Sequence, residues 1–385
     1  MSDKIRYKTK IMVIGAGQAG LSAAYYLKKL GLAIGPDFIV LDAAPSAGGA
    51  WQFRWPSLTL STVNRIHDLP GMSFEETIGE TNAAVPAAVP ATVPAAVPAT
   101  VPAAVPAAVQ ASIAVPHYYE LYEQKFDIRV YRPVKVENVY LHNDRFYIDS
   151  SETLFSAMGI INATGTWENP YIPTYPGAGL FKGEQLHTKD FKNADYFKGK
   201  HVVVVGGGIS AIHLLDQVSK VTTTTWVTRR PPVFREGPFD DAAGHNAVAM
   251  VEDRVRKGLL PSSVVSVTGL PLSPEVVDMK RRGVLNRLPM FSEITNNGVK
   301  WEDGREEKAD VILWNTGFRG ALDHLKSVLP REETGGIIMS GRLATMVAKE
   351  PRIHLPGYGP SASTIGANRA GPVAARELMA TLGLA

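Results

Sequence analysis

Three glycines, Gly15, Gly17 and Gly20, stand at the spacing G-x-G-x-x-G, and Gly206, Gly208 and Ala211 repeat it as G-x-G-x-x-A. Such glycines supply no reactive group; they bare a row of backbone N–H groups, and what such a row binds is phosphate. Gly15 allows a tight turn, Gly17 lets a pyrophosphate approach the backbone, and Gly20 lets helix and strand pack closely. After the first set comes Asp42, placed to accept hydrogen bonds from a ribose. After the second, Thr228, Arg229 and Arg230 hold the corresponding place, where an arginine clamps a 2′-phosphate. The expected chemistry is therefore dinucleotide binding twice, FAD or NAD at the first motif and NADPH at the second. The plainer alternatives are a structural helix–strand turn for each motif and a solvated charge pair for Arg229 and Arg230.

The flanking elements suit that reading. Ile11 to Ile14 is a short apolar run expected as a buried strand, Leu21 to Leu30 carries a helical repeat, and Phe38 to Leu41 is a second strand ending at Asp42. The second unit repeats the order, with a strand over 201–205, a helix beginning at 212, and a strand over 222–227. Between them, Pro116 is expected in the first turn of a helix over 115–126. Alternating strands are expected over 134–141, 145–148 and 153–155, with Asn143-Asp144 as a hairpin turn. A strand over 158–161 runs into Asn162-Ala163-Thr164-Gly165, and a later one, Val311 to Trp314, runs into Asn315-Thr316-Gly317. Residues 166–195 read as a connection. The tail offers one more strand, a glycine turn at Gly357 and Gly359, and a helix over 361–378 whose N-terminus, near Thr364, is expected to face a flavin ring.

The chain has 385 residues, 45% of them hydrophobic and 20% charged, so two globular domains are the natural expectation. A formal net charge of +3 points to neither nucleic acid nor an anionic membrane. There is no cysteine, which excludes disulfides, thiolate metal sites and a redox-active dithiol. The nine histidines show no metal-ligand spacing, so no metal site is expected, and no nucleophile elbow suggests hydrolysis. With no apolar leader before the first strand, a cytoplasmic location is the default expectation. Residues 83–109 repeat Val-Pro with a period of four; proline at that frequency removes a helical hydrogen bond in each turn, so an extended loop inside the first domain is expected, not a membrane span.

Further motifs carry a family resemblance. Phe181-Lys182-Gly183-Glu184-Gln185-Leu186-His187-Thr188-Lys189-Asp190-Phe191 matches F-x-G-x-x-x-H-x-x-x-(Y/F), Gly48-Gly49-Ala50-Trp51 matches G-G-x-W, and Ala163-Thr164-Gly165 matches A-T-G. In this order, between two glycine motifs, they resemble the flavin-containing monooxygenases among the two-dinucleotide-binding flavoproteins, over nearly the whole chain. Phe191 stands where Baeyer–Villiger relatives carry tryptophan.

The resemblance implies an α/β fold of two Rossmann-like domains with mostly parallel sheets, the NADPH domain (166–317, with its linkers) inserted in the FAD domain (1–165 and 318–385). It implies an NADPH-dependent, FAD-containing monooxygenase that places one atom of O₂ on a small nitrogen or sulfur nucleophile through a flavin C4a-hydroperoxide. The expected cofactor contacts are Gly15, Gly17, Gln18, Ala19, Gly20, Asp42, Ala43, Gly49, Trp51, Thr62, Val136 and Ala163 to Gly165 on the first side. Gly359 and Thr364 join them from the tail. On the second side stand Gly206, Gly208, Ser210, Ala211, Thr228 to Arg230 and Asn315 to Gly317. Many family members carry Thr-Asn after G-G-x-W with the Asn near the flavin; here Thr62-Val63-Asn64 sets Asn64 one place later. Asn64 and His187 are the side chains with a candidate catalytic role, His187 having also the plainer reading of a structural linker histidine. The expected partners are a small substrate, O₂ and a second copy of the chain as a homodimer. The competing function is an NAD(P)H-dependent flavoprotein reductase that passes electrons to a non-thiol acceptor, and a third is FAD binding without turnover.

Overall fold

The computed structural model describes residues 5–63, 66–77, 109–235, 241–262 and 269–384; Asn64 and the Val-Pro repeat, except Val109, lie outside the described residues. Two parallel-rich sheets organise the rest. The larger contains β1 (Ile11–Ile14), β2 (Phe38–Leu41), β3 (Val130–Tyr131), β4 (Gly159–Asn162), and, from the tail, β10 (Met339–Ser340), β11 (Met346–Val347) and β12 (Glu350–His354), in the order β10-β11-β12-β4-β1-β2-β3. Only the β10–β11–β12 edge is antiparallel. The smaller has β5 (Glu184–His187), β6 (Val202–Val205), β7 (Thr224–Thr228), β8 (Leu288–Pro289) and β9 (Val311–Trp314), all parallel, in the order β8-β7-β6-β9-β5.

The strands expected from apolar runs are those covered on both faces, as parallel sheets require: every residue of β1, β2, β4, β6 and β9 is buried. Side chains alternate between layers. Ile11, Val13, Phe38 and Val40 pack against helices α1 (Gln18–Lys29), α2 (Ala111–Lys125) and the tail helix, while Met12, Ile14, Ile39 and Leu41 pack against the hairpin strands Val136–His142, Arg145–Ser150 and Thr153–Ala157. In the smaller sheet Val202, Val204, Val311 and Leu313 face α3 (Ile209–Ser219) and α5 (Pro274–Arg281). Val203, Val205, Ile312 and Trp314 face a three-stranded meander over Glu293–Lys308. Two helices complete the set, α4 (Asp241–Arg256) and the tail helix α6 (Thr364–Thr381).

Three expectations are revised. The helix expected over 115–126 begins at Ala111, so Pro116 lies inside α2 and not in its first turn. The stripe Ala111, Ala114, Val115, Tyr118, Tyr119 and Tyr122 is buried, and that burial outweighs the one backbone bond proline forfeits. Second, the segment read as connection contains β5, an edge strand whose polar sequence Glu-Gln-Leu-His lacks an apolar signature. Third, the tail helix starts at Thr364, where the Ser363 hydroxyl accepts from Gly366 N–H, and not at 361. The hairpin turn at Asn143-Asp144 is as expected, both residues adopting positive φ between paired strands.

The chain passes from the larger sheet to the smaller after Gly165 and back after Gly317, and the two passes run antiparallel beside each other. Tyr171 N–H donates to Gly317 O (3.0 Å), Arg319 N–H to Asn169 O (2.8 Å) and Ala321 N–H to Gly165 O (2.9 Å).

Candidate cofactor and active site

Both glycine motifs lie at the carboxyl edge of a sheet, where open α/β sheets place their ligands. Gly15 has φ +99°, and a Cβ there would lie 2.5 Å from Ala163 O; one on Gly20 would lie 1.8 Å from Gly15 O. These two glycines are closed in by packing. A Cβ on Gly17 would meet nothing within 4 Å. The second motif repeats the division: Gly206 is closed against Asn315 O, Gly208 opens onto free space, and Ala211 is fully buried. Helices α1 and α3 start at these open glycines without a side-chain cap, whereas α5 and α6 are capped by Ser273 and Ser363. Uncapped N–H groups beside open space fit an anionic pyrophosphate at each motif.

Around the first cradle the structure gathers Ala163, Asp42 and Gly49. Asp42 turns its carboxylate onto the cradle, accepting from Ala16 N–H and Ala44 N–H, both at 2.8 Å. Each oxygen keeps a further lone pair for a ribose hydroxyl. Arg132 stands 4.0 Å from Asp42 and grips Glu123 through two hydrogen bonds of 2.6 and 2.7 Å. Burial pushes the Glu123 carboxyl up against the opposing pull of Arg132. Gly49 opens a short turn seated on the cradle, since a Cβ there would lie 3.0 Å from Gly17 Cα. Gln18 donates to His67 O (3.1 Å) and accepts from the Tyr119 hydroxyl (2.6 Å), so its side chain fastens the loop before α2 to the cradle.

Other expected contacts differ in how much of them stays free. Ala19 and Val136 are buried and Ala43 is exposed. Thr62 is exposed and bonded back to Thr59, whose N–H it accepts at 3.0 Å. Thr164 donates to Ala321 O (2.8 Å), Thr316 donates to Tyr171 O, and Asn315 accepts from the Thr188 hydroxyl (2.9 Å), so these three hold the crossing passes. Gly359 packs against Val255, and Ser210 and Thr364 are half-buried in the first turns of α3 and α6.

At the second cradle Thr228 is buried and Arg229 and Arg230 are exposed. A residue that sequence reasoning passed over joins them: Arg287, just before β8, donates from Nε to the Thr228 hydroxyl (2.6 Å) and from Nη2 to Thr228 O (3.2 Å). The Arg287 guanidinium thus lies at the end of β7, which Arg229 and Arg230 follow in the chain. The parallel β7–β8 pairing that brings Arg287 there joins residues about sixty apart and leaves no local motif.

His187 ends β5. Its N–H donates to Asp190, its Nδ1 accepts from Lys189 N–H (3.2 Å), and its Nε2 lies 3.0 Å from Gly317 O. A carbonyl can only accept, so Nε2 carries the proton and Nδ1 does not. Burial lowers the pKa of His187 and keeps it neutral in that form. Both ring nitrogens are occupied, which makes His187 a holder of the Gly317 turn. Its ring meets Phe318 edge-on at 4.8 Å, and Phe318 stacks on Trp167 at 5.1 Å. Arg54, also passed over in the sequence, lies with its guanidinium 4.2 Å above Trp167 and 5.9 Å from Trp51. Among the described residues no cluster of three or more histidines and carboxylates is placed to hold a metal, and no helix is long and apolar enough to cross a membrane.

Residues 12–242 match the pyridine nucleotide-disulphide oxidoreductase family. A flavin-containing monooxygenase from Stenotrophomonas maltophilia is 30% identical, with a TM-score of 0.73 and coverage of 97% of this chain and 99% of that one. A doubly substituted form of the flavin monooxygenase from that organism gives 31% and 0.76 over the same shares. An uncharacterized oxidoreductase, CzcO of Bacillus subtilis, is 25% identical over 332 residues, covering 83% of this chain and 85% of that protein. The cysteine-free sequence leaves no dithiol for the disulphide chemistry in the family's name. With two open cradles on two parallel sheets and matches running the length of the fold, the chain belongs to the pyridine nucleotide-disulphide oxidoreductase family and is a flavin-monooxygenase-like flavoprotein oxidoreductase.

Proposed function

We propose that the first cradle holds FAD, the second holds NADPH, and the protein uses both with O₂ to oxygenate a small nitrogen or sulfur nucleophile. The observation that carries this reading is the contrast between the cradles: a carboxylate, Asp42, closes one, and at the other Arg287 bonds to Thr228 where Arg229 and Arg230 follow it in the chain. When bound, FAD supplies the two-electron and dioxygen chemistry, so the protein's share is holding, orienting and keeping water out.

The N–H groups at Gly17 and Gly208 receive the pyrophosphates, and Asp42 accepts from the first adenosine ribose. The arginines receive the 2′-phosphate, Arg287 doing so while it braces Thr228. Neutral His187 holds the Gly317 turn through its Nε2–H. In domain terms, 1–165 with 318–385 forms the FAD unit and 166–317 the NADPH unit.

The test begins with the purified protein, which is expected to be yellow and to release FAD on heating. NADPH consumption across a panel of amines and sulfides is then matched against products carrying one added oxygen. Equal yields of product and oxidised coenzyme are expected. Electrons ending wholly in H₂O₂ for every substrate, together with faster turnover of quinones or dyes, would replace the reading with a flavoprotein reductase.

A further inference from the structure

Under the reading above, each phosphate of two dinucleotides has a receiver: an uncapped helix start at each cradle, and three arginines beside β7. Arg54 has no such assignment. Among the described residues its side chain makes no hydrogen bond and no ion pair, and its Nε is sealed from solvent without a partner. The side chain as a whole is only partly covered, so its terminal Nη groups stay reachable. Burial pulls its pKa down to about 10, which still leaves it charged at neutral pH.

A structural role explains this poorly. The ring contact with Trp167 satisfies no hydrogen-bond donor, and a buried donor left without a partner is costly, more so on a charged group. Its place is informative as well. Trp51 belongs to the turn seated on the first cradle, and Trp167 begins the stack through Phe318 to His187 at the Gly317 turn. Arg54 therefore stands between the turn seated on the first cradle and the stack that leads to the Gly317 turn. A forked donor beside two indole faces matches a carboxylate carried on a flat, apolar body.

We propose that Arg54 anchors the carboxylate of the substrate, making the preferred substrates of this enzyme anionic nucleophiles that carry a carboxylate next to an aromatic or planar group. This rests on the monooxygenase reading for the word substrate, but the site is testable without turnover.

The experiment titrates oxidised, FAD-loaded protein, without NADPH, with phenylacetate and with its neutral isostere phenylacetamide. Binding is followed by tryptophan fluorescence and by the flavin absorbance. Phenylacetate is expected to bind at least about 10-fold more tightly. Arg54→Gln should reduce that ratio to within about 2-fold while FAD stays bound, and Arg54→Lys should restore part of it. Equal binding of the two probes by the wild type overturns the proposal, as does a ratio that survives Arg54→Gln. Weakened NADPH binding in Arg54→Gln with the probe ratio intact would assign the arginine to the coenzyme instead. Since no oxygen is transferred, failure here and failure of the oxygenation assay are read separately.

Discussion

At the scale of single residues, the groups proposed to read the coenzyme can be tested apart from the rest of the protein. Arg229 and Arg230 are exposed at the end of β7. The double variant Arg229→Gln/Arg230→Gln is expected to lower kcat/KM for NADPH by about 30-fold or more, through loss of charge-assisted bonds, and to leave NADH within about 3-fold. A parallel fall for both coenzymes in steady-state kinetics would show that the arginines do not read the 2′-phosphate. This pair was legible in the sequence because it stands at a fixed offset from a glycine motif. Arg287 and Arg54 were not: one reaches Thr228 through strand pairing, the other is three residues past Trp51 in a turn without regular pattern. Spacing reports what is near along the chain, and these two matter through what folding brings near.

At the scale of elements, each glycine motif divides between positions that serve folding and positions that serve the ligand. Gly20→Ala would set a methyl group 1.8 Å from Gly15 O, with the Ala163 Cβ at 3.4 Å and no flexible side chain to give way. It is expected to cost the flavin-free protein at least about 3 kcal/mol in denaturant unfolding. Gly17→Ala meets nothing within 4 Å. Its flavin-free stability should stay within about 1 kcal/mol of wild type while FAD affinity falls at least about 10-fold. If Gly17→Ala binds FAD normally, the first cradle does not receive a pyrophosphate at that glycine. The fully buried strands and the first helix could be read from apolar runs and spacing, because burial on both faces leaves an unbroken signature. β5 could not, since an edge strand is free to be polar, and α2 began early because its buried tyrosines and alanines tolerate an internal proline.

At the scale of the whole molecule, buried imidazoles tie stability to pH. His324 Nε2–H donates to Asn162 Oδ1 at 2.7 Å, and His354 is fully buried with Nε2 unpartnered and Nδ1 near the Thr345 hydroxyl. Burial pulls both down to about 4. Above about pH 6.5 both are neutral folded or unfolded, and pH has no leverage through them. Between about 6.5 and 4 the unfolded chain takes up protons the folded one refuses, so stability falls as pH falls, by roughly 3 kcal/mol for each histidine across the window. Denaturant midpoints measured from pH 7 to pH 4.5 should show this decline, and His324→Gln should flatten it in part, leaving the share of the other buried histidines. An unchanged slope in that variant would mean that His324 is protonated in the fold. The two-sheet architecture was visible as a repeated motif order, whereas the joining of the sheets was not, because it depends on main-chain bonds between residues about 150 apart. Those bonds between the stretches after Gly165 and Gly317 have a mechanical effect: two strands laced edge to edge form a ribbon, which twists easily but resists stretching. Any swivel of one sheet over the other is expected to turn about this ribbon, changing the tilt of the two cradle mouths more than their spacing.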